Sequence, residues 1–246
     1  MRRDRRGVDV RVRFCHRDRI TYRWRRERVR RSGRTGPVHR DLHRGESGQQ
    51  RNTFTIEGDD NDVILSIHIQ NDSLSTQCDV TIRKKLGADF GIASIGEITW
   101  GTTTGQPVWI ENMQVDGNVG NIEVSAIESA YIKGDLIGNV FTTSNAIVDL
   151  IVDGNIGSST TPSTIESMGN INRISVGVDV YANIDSAPTG SVSDWLGAVD
   201  IGGNFYGSIK APAARINSGI PHGGGSFIGV RIDGETYEID QAPALD

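Results

Sequence analysis

Lysine is absent from the first 51 residues of this chain, although 18 arginines stand there. Cysteine is nearly absent throughout: Cys15 and Cys78 are too few for a disulfide framework or a thiolate metal site, so both are expected as free thiols. No apolar run approaches the about 18 residues a membrane-crossing helix needs, so no membrane insertion is expected. Beyond residue 51 only two histidines remain, His68 and His222, and neither has a second histidine nearby. Aromatic residues make up 6% of the chain. Few aromatics together with abundant Gly, Asn, Ser, Thr, Ile and Val favour strands and turns over helices.

The net charge of −5 averages two unlike parts. Residues 1–51 hold 18 Arg against 6 Asp/Glu, a net of +12; residues 52–246 hold 8 Lys/Arg against 25 Asp/Glu, a net of −17. In residues 1–51 like charges repel and no face is periodic enough to be buried, so disorder is expected there. Three readings of that segment stay open. It is an arm that neutralises phosphates on nucleic acid, or a solvated tail, or the product of a mis-assigned start, since out-of-frame reading of GC-rich DNA yields Arg without Lys. No apolar signal-peptide core is visible in it, which carries no information if the start is wrong.

Residues 52–85 alternate apolar and polar positions around Phe54, Ile56, Ile64, Ile67, Ile69, Val80 and Ile82, the period of half-buried strands. They are expected to cap the repeats that begin at residue 86. There a phrase starts to recur: an aliphatic residue, a spacer, Gly, Asn or Asp, an aliphatic residue, then a small residue. Its starts fall at 86, 115, 132, 152, 176 and 201, separated by 29, 17, 20, 24 and 25 residues. Self-similarity at this period marks stacked supersecondary units. A short strand and a small-residue corner cannot bury an apolar side alone; stacked coil on coil, they pair in parallel and line a continuous interior.

The expected fold is therefore all-β: a parallel solenoid of about six coils over residues 86–218, followed by a loop and hairpin over 219–246. Right-handed winding is expected from the crossover rule. Val115, Ile132, Val152, Val176 and Ile201 would stack inside. Asp89, Asn118, Asp135, Asn155, Asp179 and Asn204 would form a hydrogen-bonding ladder. Gly117, Gly134, Gly154 and Gly203 are the corner glycines, with Gly134 and Gly154 expected to use positive φ. Uneven spacing places insertions in loops near 102–107, 158–163 and 187–193. Asp233-Gly234 between two β-rich runs signals a terminal hairpin that covers the open end.

On these residues the chain resembles bacterial parallel β-helix (β-solenoid) proteins that are secreted or found on cell surfaces. The stretch GDLIGNV at 134–140 is also similar to the coils of bactofilins, cytoskeletal β-helices. The first resemblance implies a non-enzymatic structural or adhesive module, extracellular or at the cell surface, with polysaccharide or cell-surface components as partners. Parallel β-helices also include polysaccharide lyases and hydrolases, and the bactofilin likeness implies a polymer.

Chemistry-bearing residues are sparse. A lyase needs a basic side chain beside carboxylates; after residue 85 the cations are Lys133, Arg173, Lys210, Arg215 and Arg231. A hydrolase needs two carboxylates about 5–10 Å apart, which stacking of the Asp column alone would supply. Asp59, Asp60 and Asp62 form the one oxygen-rich candidate for calcium, read more simply as a solvated acidic turn; no other cofactor is expected. Gly223-Gly224-Gly225 opens no helix and so no phosphate loop. Trp100, Trp109 and Tyr206 are candidates for an aromatic sugar platform or for covering coil ends.

Overall fold

The computed structural model describes residues 7–14, 20–25, 38–41, 52–59, 62–71, 77–101, 107–144, 146–186, 196–210, 229–232 and 235–238. The strands are β1 (Gly7–Phe14), β2 (Ile20–Arg25), β3 (Val38–Asp41), β4 (Asn52–Gly58), β5 (Val63–Asn71) and β6 (Cys78–Lys84). Then come β7 (Ile92–Gly101), β8 (Val108–Val124), β9 (Ala126–Ile132), β10 (Val140–Thr142), β11 (Ile147–Val152) and β12 (Ser163–Ser167). Last are β13 (Ile171–Val176), β14 (Ala182–Ser186), β15 (Leu196–Ile201), β16 (Ser208–Lys210), β17 (Gly229–Ile232) and β18 (Glu235–Glu238).

Two parallel ladders account for most of them. The first stacks β4, β6, the start of β8, β9, β11, β13, β15 and β17. The second stacks β1, β5, β7, the end of β8, β10, β12, β14 and β16. From β4 to β17 the chain alternates between the ladders. On its way from the first to the second it passes a column of single bridges at Val119, Leu136, Ile156, Val180 and Phe205. This is an all-β parallel solenoid.

The interior is set by register. Val115, Ile132, Val152, Val176 and Ile201 are successive partners, extended below by Ile92 and above by Ile232. A second file runs Val80, Ile110, Ile127, Ile147, Ile171 and Leu196. β-Branched side chains suit such files because their stiff χ1 rotamers repeat from rung to rung. Full burial of each Ile or Val contributes about 1.5–3 kcal/mol. Alternation then turns the polar neighbours outward, as in the buried–exposed pattern of β14.

The stack reaches further toward the N-terminus than the repeated phrase. Within residues 52–85, β4, β5 and β6 are rungs of the same ladders. They lack the Gly-Asn corner but keep the strand period, and parallel pairing needs only the latter. Within residues 1–51, where the sequence suggests disorder, the described residues form three strands. β1 is a parallel rung on β5, and β2 and β3 pair antiparallel with β1 and β4. The alternation Val8, Val10, Val12, Phe14 was present in the sequence, and an open sheet edge supplies the partners such a strand needs. At the other end β17 pairs parallel with β15 and antiparallel with β18, a terminal hairpin whose Asp233-Gly234 turn lies outside the described residues.

The phrase at residue 86 is a further correction. Leu86 is 94% exposed, and Ile92 takes the place opposite Val115. The corner glycines also act otherwise than expected. Positive φ is found at Gly87 (80°) and Gly157 (67°), not at Gly134 or Gly154. What the corners require is space: a Cβ on Gly117 would collide with the Ala93 carbonyl oxygen, and one on Gly134 with the Asn118 side chain of the coil beneath. Gly117→Ala should therefore destabilise the fold by about 2–3 kcal/mol, the cost of forced overpacking, whereas Leu86→Ala should stay within about 0.5 kcal/mol. Denaturant midpoints of the two variants measure both.

Toward the C-terminal coils one interior position turns polar. Thr142, Ser167 and Ser186 are register neighbours at the inner ends of β10, β12 and β14. Thr142 Oγ1 donates to Ser167 Oγ at 2.8 Å, while Ser186 Oγ is buried without a hydrogen-bond partner among the described residues. An unsatisfied buried hydroxyl costs about 1–3 kcal/mol. Ser186→Ala should raise stability by about 1 kcal/mol, read as a higher melting temperature.

Candidate functional site

Stacking brings five of the six proposed ladder residues into one file. Asn118 Oδ1 accepts the Asp135 N–H at 2.9 Å. Asp135 Oδ1 accepts both the N–H and the Nδ2–H of Asn155, at 2.7 and 3.1 Å. Asn155 Oδ1 accepts the Asp179 N–H at 3.2 Å, and Asp179 Oδ1 accepts the N–H and Nδ2–H of Asn204 at 2.8 and 3.2 Å. Alternating Asn with Asp keeps the carboxylates two rungs apart, about 10 Å, beyond the ~8 Å Debye length at physiological salt. Asp89 is not in this file. It lies in the exposed turn after β6, and Ser94 is the register partner of Asn118.

A second file went unrecognised in the sequence. Asn121 Oδ1 accepts the Asn139 N–H at 2.9 Å, and Asn139 Oδ1 accepts the Thr164 N–H at 2.8 Å. Further along, Asn183 Oδ1 accepts the Ser208 hydroxyl at 2.8 Å. Its signal was the second Gly-Asn pair of the phrase, Gly120-Asn121 and Gly138-Asn139, which reads as a mere small-residue position until the rungs are aligned.

The proposed cations are dispersed, and two of them are paired. Lys133 Nζ lies 2.7 Å from Asp116 Oδ1. Burial alone would raise the Asp116 carboxyl, but the Gly91 N–H and the Lys133 ammonium outweigh it and hold the group below its ordinary range. Arg173 approaches Asp149 at 3.6 Å. Lys210 is the register partner of Asp185, and Arg231 that of Asp200. Arg215, His222, Gly223-Gly224-Gly225 and Cys15 lie outside the described residues. His68 Nδ1 is 3.0 Å from Thr99 Oγ1 on the neighbouring rung. Burial, and behind it the Asp79 carboxylate, pushes the Cys78 thiol well up, so it stays protonated.

The acidic turn is used locally. Asp62 Oδ2 accepts the Asp59 N–H at 2.9 Å, and the Asp62 N–H donates to the Asp59 carbonyl. Asp60 lies outside the described residues. Among the described residues no group of three His, Cys, Asp or Glu is placed to hold a metal.

The three aromatics are not brought together. Trp100 packs against the core from β7 and Trp109 is half-buried on β8. Tyr206 instead stacks on Tyr181 of the coil below, ring centroids 4.7 Å apart and planes 12° apart. Both tyrosines directly follow a bridge residue, Val180 or Phe205, so the pairing was legible only once register was known. Partial desolvation, and next the Asp179 carboxylate, raises the Tyr181 phenol; a hydrogen bond to Asp153 at 2.6 Å does so for Tyr131.

From this pair an outward strip continues along β14 and β16. Asn183 and Ser208 are partners, then Asp185 and Lys210, with Thr164 and Glu166 on the rung beneath. Aromatic rings, an amide, hydroxyls and carboxylates thus share one face, the equipment for binding a polyhydroxylated ligand. A scan against models of protein families, a search of curated proteins and a search of solved structures each find no match.

The ladder itself is testable. Asp135→Ala removes the acceptor for two coil-to-coil bonds and should cost about 1–3 kcal/mol; Asp135→Asn keeps an acceptor oxygen and should cost less than half as much. Equilibrium unfolding of the pair checks the order.

Proposed function

We propose that this chain is a non-enzymatic structural or adhesive module of a secreted or cell-surface protein, of the kind its bacterial β-solenoid resemblance implies. Its partners are polysaccharide or other cell-surface components. The observation that carries this reading is the use of the repeat's polar side chains. One side-chain oxygen of each of Asn118, Asp135, Asn155 and Asp179 is committed to the next coil, which makes a stiff scaffold. The lysine and arginine that a lyase would recruit as a base, Lys133 and Arg173, sit against carboxylates of neighbouring rungs.

A carbohydrate-active enzyme is the second reading, and one observation favours it. Glu166 and Asp185 are direct cross-strand partners. Neighbouring rungs stand about 4.8 Å apart, near the carboxylate separation of retaining glycosidases, about 5–5.5 Å.

Incubating the purified chain with acidic and neutral polysaccharides, and assaying reducing and unsaturated ends, separates the two. The module reading expects no product, and the chain, exported by the producing cell, retained in its envelope or medium fraction. Turnover abolished by Glu166→Gln would replace it with the enzyme reading.

A further inference from the structure

We infer that the strip of Tyr181, Tyr206, Asn183 and Ser208 is a binding site for an uncharged polysaccharide, whose pyranose rings rest on the tyrosine pair. The inference rests on the module reading and names its ligand class and location. It starts from exposure. Tyr206 is 51% exposed although its ring is stacked on Tyr181 and the bridge residue before it, Phe205, packs against the core. A solenoid that only needed to close its last coil would turn such a ring inward, and a half-solvated aromatic is the residue type that amphipathic ligands use. The C–H faces of a pyranose are apolar and its rim is hydroxylic, so a ring beside hydrogen-bonding groups matches both parts.

The neighbours supply those groups. Asn183 is exposed, and its Oδ1 accepts the Ser208 hydroxyl, so the Nδ2 amide keeps two donors to offer. Asn204, one residue from the bridge, is exposed and donates through Nδ2 to Asp179, which leaves its Oδ1 as an acceptor. Gly207 keeps the edge between Tyr206 and Ser208 low: a Cβ there would strike the Ala182 carbonyl oxygen. The two coils therefore present a shallow shelf, aromatic at one side and polar at the other.

Charge selects within the class. Asp179 Oδ2 lies 3.5 Å from the Tyr181 hydroxyl, and Glu166 and Asp185 stand on the adjacent rungs. Residues 52–246 carry −17 as a whole. The Asp179 and Glu166 carboxylates beside the tyrosine pair disfavour a uronate polymer, while a neutral glycan meets acceptors for its hydroxyls.

Affinity electrophoresis of the full chain through gels containing glucomannan, xyloglucan, dextran or polygalacturonate tests the site. Retardation is expected in at least one neutral polymer and not in polygalacturonate. Tyr206→Ala should weaken that retardation at least tenfold, about 1.4 kcal/mol, while Tyr206→Phe, which keeps the ring, stays within about threefold. Asn183→Ala, at an exposed position that gives up one coil-to-coil bond to Ser208, should lose about three- to fivefold, and a melting curve on each variant checks that it is folded. No retardation in any neutral polymer, equal binding by Tyr206→Ala, or preference for polygalacturonate would overturn the inference. If binding fails while the protein still partitions with the cell envelope and turns over no glycan, the site is wrong and the module reading stands. If it fails and the chain is found in neither the envelope nor the medium fraction, both fall.

Discussion

Every coil of this protein depends on its neighbours for the hydrogen bonds of its own backbone. Each rung leaves a row of N–H and C=O groups above and below, and burying such groups unpaired costs more than the net worth of the bonds themselves. Parallel register between rungs satisfies those of the strands together. It also dictates what lies beside it: once Val115 faces Ile132, and Ile132 faces Val152, the neighbouring columns of the same strands follow.

The corners show how tightly that constraint binds. Successive coils come close enough at Gly117 and Gly120 that a Cβ would overlap the carbonyl oxygen beneath. The amides at these bends cannot all reach ladder partners, and Asn and Asp oxygens complete them: Asp135 to Asn155, Asp179 to Asn204, Asn139 to Thr164. The same side chains set the spacing of negative charge along the rod. Scaffold and electrostatics are thus one device, and the residues most regular in the repeat have little left over for chemistry.

Function therefore falls to positions that the repeat does not need. Tyr181 and Tyr206 each follow a bridge residue, in places where earlier coils carry Gly120, Ile137 and Gly157. Their side chains build no ladder and line no interior, yet they find one another across adjacent rungs. The Thr142–Ser167–Ser186 file marks the same end of the rod from inside, where aliphatic packing gives way to hydroxyls. The C-terminal coils are the part in which side-chain choice is least explained by stacking alone.

The fold was legible in the sequence because its determinants are local and periodic. The aliphatic file from Val115 to Ile201 and the ladder from Asn118 to Asn204 are spaced by the chain's own repeat, and a parallel solenoid is the arrangement that buries one and joins the other. Strand period alone also ran through Val8 to Phe14 and through residues 52–85, but without the Gly-Asn corner it could not say that these strands are rungs of the same stack. Leu86 and Asp89 fitted the phrase and fell out of register, since Ile92 buries better opposite Val115 than an exposed turn residue does. The second polar file and the Tyr181–Tyr206 pair were beyond sequence reasoning for a different reason. Their members lie 18 to 25 residues apart, with unequal insertions between, and only the hydrogen-bonded rungs of the tertiary structure decide which residue of one coil stands above which residue of the last.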